Sequence, residues 1–197
     1  MNRRSLVGLS GLLALAPHQA LAHTGVGETD GFLHGLMHPI SGLDHVLAMV
    51  TVGLIAVQLG SRALWMVPAS FVTMMAAGGV LGFYSIPIPS VEAGIALSVV
   101  VLGVVLAMQT SLPLTAAMRL VGLFAIFHGH AHGAEMPIEI SAFGYGTGFL
   151  IATALLHSAG IGLGLSLARL SRIPARRICQ VGGGGIALAG MVLLLIG

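Results

Sequence analysis

Apolar residues in this chain run in long blocks instead of alternating with polar ones. Crossing a bilayer takes a helix of roughly 20 apolar residues. Six blocks meet that need, at residues 39–59, 63–84, 91–108, 113–132, 142–170 and 178–196. Pro39 and Pro113 fall in the first turn of their predicted helices, where proline is tolerated. The segment 85–90, Ser-Ile-Pro-Ile-Pro-Ser, has no helix character and reads as a stiff connector. A shorter block, 6–16, follows Arg3 and Arg4 and is closed by Pro17 and Ala20-Leu21-Ala22. That order matches a secretory leader with a small-x-small cleavage site. The predicted architecture is all-α: a cleaved signal peptide, 1–22, then a single six-helix transmembrane domain, 23–197.

Composition agrees. Of 197 residues, 56% are hydrophobic and 7% charged, with a mean hydropathy of +1.02. Soluble domains carry about 25% charged residues, so a water-facing enzyme surface is excluded. The basic pI near 9.3 leans on Arg3 and Arg4 in the leader. The remaining six arginines balance six acids, and no nucleic-acid partner follows. The partner implied is the lipid bilayer. One cysteine, Cys179, allows no internal disulfide.

The charges also orient the chain. Arg62, Arg119, Arg169, Arg172, Arg176 and Arg177 all fall on one side of the predicted bundle. Glu28, Asp30, Glu92, Glu135 and Glu139 fall on the other. The positive-inside rule makes the arginine side cytoplasmic, and an exported N-terminus demands the same. The expectation is a bacterial inner-membrane protein with both mature termini in the periplasm. Glycines within the spans, at 144, 146, 148, 160, 162, 164 and 182–185, suit close helix packing more simply than hinges.

Polar residues concentrate near the periplasmic ends of two spans. Charge inside a membrane is expensive and invites a functional explanation. The first cluster is His38-Pro39-Ile40-Ser41-Gly42-Leu43-Asp44-His45. The second is Phe127-His128-Gly129-His130-Ala131-His132-Gly133-Ala134-Glu135. Seven positions apart at about 100° per residue, His38 and His45 share a face, with Gly42 a notch between them and Asp44 about 100° from His45. His128, His132 and Glu135 form a second stripe, with His130 roughly opposite. Imidazoles and carboxylates facing one another suit nickel, cobalt, zinc or copper better than magnesium or calcium.

Glu92, at the outer end of span three, is either a ligand from a third helix or a carboxylate stabilising a helix N-terminus. His34, with Glu28 and Asp30, is a weaker candidate for a receiving site. His23 would offer an amine and an imidazole once the leader is removed. His157, alone in span five, is either a hydrogen-bonded structural residue or part of a pathway. Met37, Met49, Met74, Met75 and Met136 read as packing residues.

HPISGLDHVLAM at 38–49, FHGHAHGAE at 127–135 and the leader ending Ala22-His23 resemble the HupE/UreJ family of bacterial nickel and cobalt permeases. The six-span layout extends the resemblance over essentially the whole chain. It implies that His38, Asp44, His45, His132 and Glu135 act in transport, with His128 and His130 in the same motif. It further implies a nickel or cobalt ion as substrate, no prosthetic group, and supply of metal to hydrogenase, urease or cobalamin synthesis. The combined expectation for metal ligands is His38, Asp44, His45, Glu92, His128, His132 and Glu135. No GxxxxGK[ST] phosphate loop is present, so a secondary permease is expected. The competing class is an intramembrane metal-dependent hydrolase, although neither HExxH nor GxSxG occurs.

Overall fold

The computed structural model describes residues 31–137, 139–170 and 174–196. The expected leader, His23, Glu28, Asp30 and Arg172 lie outside the described residues. Seven helices are found among those described, and no strand. They are α1 Gly31–Ser41, α2 Leu43–Leu59, α3 Ala63–Phe83, α4 Val91–Met108, α5 Leu114–Ala134, α6 Ala142–Leu170 and α7 Ala175–Ile196. Helices α3 to α7 are each long and apolar enough to cross a membrane. At 1.5 Å per residue, the 21 residues of α3 extend roughly 31 Å, the thickness of a bilayer's hydrocarbon core. Trp65 and Tyr84 stand exposed at its two ends, as interfacial aromatics do.

The first span departs from expectation. It is two helices bent by 83° at Gly42, and the count of six holds only when α1 and α2 are taken as one broken span. Pro39 accordingly lies near the end of α1, not in a first turn. The cause is local. Ser41 Oγ donates to the His38 carbonyl at 2.6 Å, and Gly42 is extended (φ −93°, ψ 118°). Helix α2 then restarts with Val46 N–H bonded to the Gly42 carbonyl. With the helix interrupted, His38 and His45 no longer share one helical face; tertiary packing brings each against His132 instead.

Glycine sets the distances between helices. Helices α3 and α5 run parallel with backbones in contact. A Cβ on Gly78 would meet the Ile126 carbonyl, on Gly82 that of His130, on Gly129 that of Met75, and on Gly133 that of Gly79. Both halves of the first span descend α6 in the same manner, Gly35 against Tyr145 and Gly53 against His157. Not every glycine serves this end. Gly148, Gly160 and Gly183 sit against neighbouring helices, whereas a Cβ on Gly146, Gly162, Gly182, Gly184 or Gly185 meets nothing within 4 Å.

The up-and-down topology sorts the charges. Arg62, Arg119, Arg169, Arg176 and Arg177 lie at one end, where α2 joins α3, α4 joins α5 and α6 joins α7. Glu92, Glu135 and Glu139 lie at the opposite end, with the break at Gly42 toward that side.

Candidate metal centre

The histidines of α5 are separated by small residues, so the helix presents them on two faces. His130 turns toward the α3–α4 connector and its Nε2 donates to the Ile86 carbonyl at 2.8 Å. This tethers a segment whose Ser85 and Ser90 adopt positive φ, 55° and 54°. His128 and His132, one turn apart, point into the bundle, and both are buried.

His38 reaches the same place from α1. Its Nε2 donates to Glu135 Oε2 at 3.3 Å, and its ring lies 4.7 Å from that of His132, centroid to centroid. One ligand atom from each of His38, His132 and Glu135 falls within 4.8 Å of the others, the spacing needed to share a metal ion. Glu135 follows α5 directly as its C-cap. The hydrogen bond from His38 is the main cause holding its carboxyl below the ordinary value of 4.5. His34 stacks on His38 from the preceding turn, centroids 6.0 Å apart.

Asp44 and His45 open α2. Asp44 Oδ1 accepts from His45 Nδ1 and from the His45 backbone N–H, both at 2.8 Å. Because a carboxylate only accepts, the Nδ1 proton is fixed, and Nε2 presents a lone pair without a hydrogen-bond partner. The bare backbone of Gly42 makes room: a Cβ there would come 2.7 Å from Asp44 Oδ1 and 3.0 Å from His45 Nδ1. The His45 ring lies 4.3 Å from His132 and 4.7 Å from His128.

His128 is oriented by a residue that sequence reasoning missed. Ser98 Oγ donates to the Ile95 carbonyl at 2.6 Å, so it can only accept from His128 Nε2, 2.8 Å away. His128 Nδ1 is therefore left as a bare lone pair. Outer hydrogen bonds of this sort fix the tautomer and aim a ligating imidazole. The available clue was a lone hydroxyl in the otherwise apolar run of α4. Tyr145 and Phe149 were also missed; their rings flank the cluster, Phe149 lying 4.1 Å from His132 and Tyr145 5.9 Å from His38.

Glu92 stands apart. It is exposed in the first turn of α4 and lines, with Asp44, Ser90 and the end of α7, a separate cavity of about 380 Å³. Asp44 thus belongs to both places, lining the cavity and holding His45 among the imidazoles.

Buried imidazoles on discontinuous and glycine-packed helices define a polytopic membrane protein with a cluster suited to a transition-metal ion. The family described as HupE / UreJ protein matches residues 11–193, and the chain belongs to it. That family comprises transporters associated with nickel and cobalt uptake, not enzymes. Among curated proteins, Protein HupE of Rhizobium leguminosarum bv. viciae is 50% identical over 186 residues, covering 93% of this chain and 95% of its own length. No solved structure matches.

Proposed function

We propose that this chain is a secondary permease that imports a divalent transition-metal ion, nickel first and cobalt next, from periplasm to cytoplasm. The observation that carries the reading is the meeting of His38 from α1 with His132 and Glu135 from the end of α5, beside the break at Gly42. Broken helices are a recurrent way of building ion sites within transporters. His45 and His128, each with one nitrogen fixed and the other bare, extend the ligand supply inward. Glu92 and Asp44 supply negative charge in the adjoining cavity, where a dication sheds water.

The topology belonging to this reading is a single domain, 23–197, following a removed leader. Both mature termini face the periplasm and the arginine end faces the cytoplasm. The site must release its cargo, so a two-imidazole, one-carboxylate cluster of modest affinity fits better than a closed cage. The metal is substrate, and its onward partners are the assembly systems of nickel or cobalt enzymes.

The test is uptake by purified protein in liposomes, comparing nickel, cobalt, zinc and manganese. Saturable nickel or cobalt flux that disappears in a His132→Ala protein supports the assignment. Absence of flux for all four ions, with one metal firmly retained per chain, overturns it.

A further inference from the structure

The imidazoles of the metal cluster continue inward as a file. From the outer end, His38 leads to His132, His132 to His45 at 4.3 Å, and His45 to His128 at 4.7 Å, centroid to centroid. Beyond His128 stands the Phe71 ring, 5.8 Å from it. The same Phe71 ring also meets His157, at 5.0 Å.

His157 has no structural duty that explains it. It is 1% exposed, and neither ring nitrogen has a hydrogen-bond partner. Burying an imidazole with both polar atoms unsatisfied is costly, and a leucine would fill the space without that cost. Its position along α6 is equally telling. It lies about 18 Å further along the helix than Tyr145, which flanks the outer cluster, and roughly 20 Å short of the arginine end.

Two other donors share its surroundings. Helices α3 and α6 run antiparallel here, pairing Phe71 with His157 and Met75 with Thr153. Thr153 precedes His157 by one turn on the same face, and its hydroxyl lies 3.6 Å from Met75 Sδ. Both residues are fully buried. Nitrogen, hydroxyl oxygen and thioether sulfur together suit a borderline transition metal and discriminate against magnesium or calcium.

We propose that His157 is a second, inner station for the transported cation, with Thr153 and Met75 as neighbouring donors, reached past Phe71. The inference rests on the transport reading above and extends it. A dication leaving the outer cluster faces a long apolar passage, where uncompensated charge is prohibitively expensive. Several weak sites in series allow it to leave the first without being trapped at the last.

The test compares wild-type protein with His157→Leu, His157→Gln and His157→Cys in liposomes, together with cobalt binding to each in detergent. The leucine and glutamine proteins fill the space without an imidazole, and cysteine retains a metal donor. Expected is a loss of nickel and cobalt flux of about tenfold or more in the leucine and glutamine proteins. The cysteine protein should recover a substantial part, and cobalt affinity at the outer cluster should persist in all. If leucine prevents insertion, the glutamine protein alone decides. Wild-type flux in an inserted leucine or glutamine protein overturns the inner station while leaving the transport reading intact. An equal loss in all three, cysteine included, reduces His157 to a packing role. Absence of flux in the wild-type protein overturns the transport reading and the station with it.

Discussion

Asp44 Oδ1 holds its chain neighbour His45 twice, at the ring Nδ1 and at the backbone N–H. One carboxylate therefore fixes the imidazole's tautomer and opens α2 directly after the break. Replacing it with Asn removes the charge, and the amide can present its NH₂ to the ring, which favours the wrong tautomer. Asp44→Asn is expected to reduce metal uptake to background while the protein still reaches the membrane in normal amount. Uptake assays normalised to membrane-inserted protein decide this, and normal transport by the variant sinks a necessary role for the carboxylate.

Ser98 plays a comparable part for His128 across 30 residues of sequence. Without its hydroxyl, His128 Nε2 has no acceptor and the ring is free to turn or exchange tautomers. Ser98→Ala is expected to weaken cobalt binding by about tenfold, the low end of what loss of a partner behind a metal ligand costs. It should also cost about 1–3 kcal/mol of stability for the unsatisfied nitrogen. Titration with cobalt in detergent measures the first and a thermal melt the second. Unchanged affinity in the alanine protein means that His128 is not a ligand.

Hydropathy reveals most of this architecture because lipid imposes a length on every span. The run from Val91 to Met108 and that from Ala142 to Leu170 begin and end as the apolar pattern predicts. The break at Gly42 is invisible to the same pattern. Leu43, Val46 and Leu47 continue the apolar run, while the cause is a competition between the Ser41 hydroxyl and the helix for the His38 carbonyl. The site was legible as two clusters, since six of nine histidines crowd into or beside them. Its internal wiring was not. The partners of His128 and His130, Ser98 and Ile86, are distant in sequence, and only the packing of α4 and of the connector against α5 brings them together.

The glycine seams make an independent prediction about stability. A methyl group on Gly129 would strike the Met75 carbonyl, and backbone cannot yield as a side-chain tip can. Gly129→Ala should therefore destabilise the protein by about 1–3 kcal/mol, as overpacking does, and displace His128 and His132. Gly162→Ala, where the added carbon meets nothing, should be neutral or slightly stabilising, because alanine is the better helix former. Thermal unfolding in detergent separates the two. Equal effects would mean that the seam between α3 and α5 does not set the bundle's spacing.

Acid should release the metal, and the responsible groups can be told apart. Imidazoles bind metal only when neutral, so affinity is expected to fall once the medium is acid enough to protonate them. Glu135 acts in the same sense, because a carboxylate also ligates only when deprotonated. The bond from His38 depresses its pKa below the ordinary 4.5. Its contribution is therefore fully present above that value and is lost only as pH falls through the lower folded one. Glu135→Gln should weaken cobalt binding at every pH from about 8 to 5 while the loss of binding in acid remains. Cobalt titrations across that range provide the check. Binding by the variant that no longer varied with pH would assign the acid loss to the carboxylate and remove the imidazoles from the site.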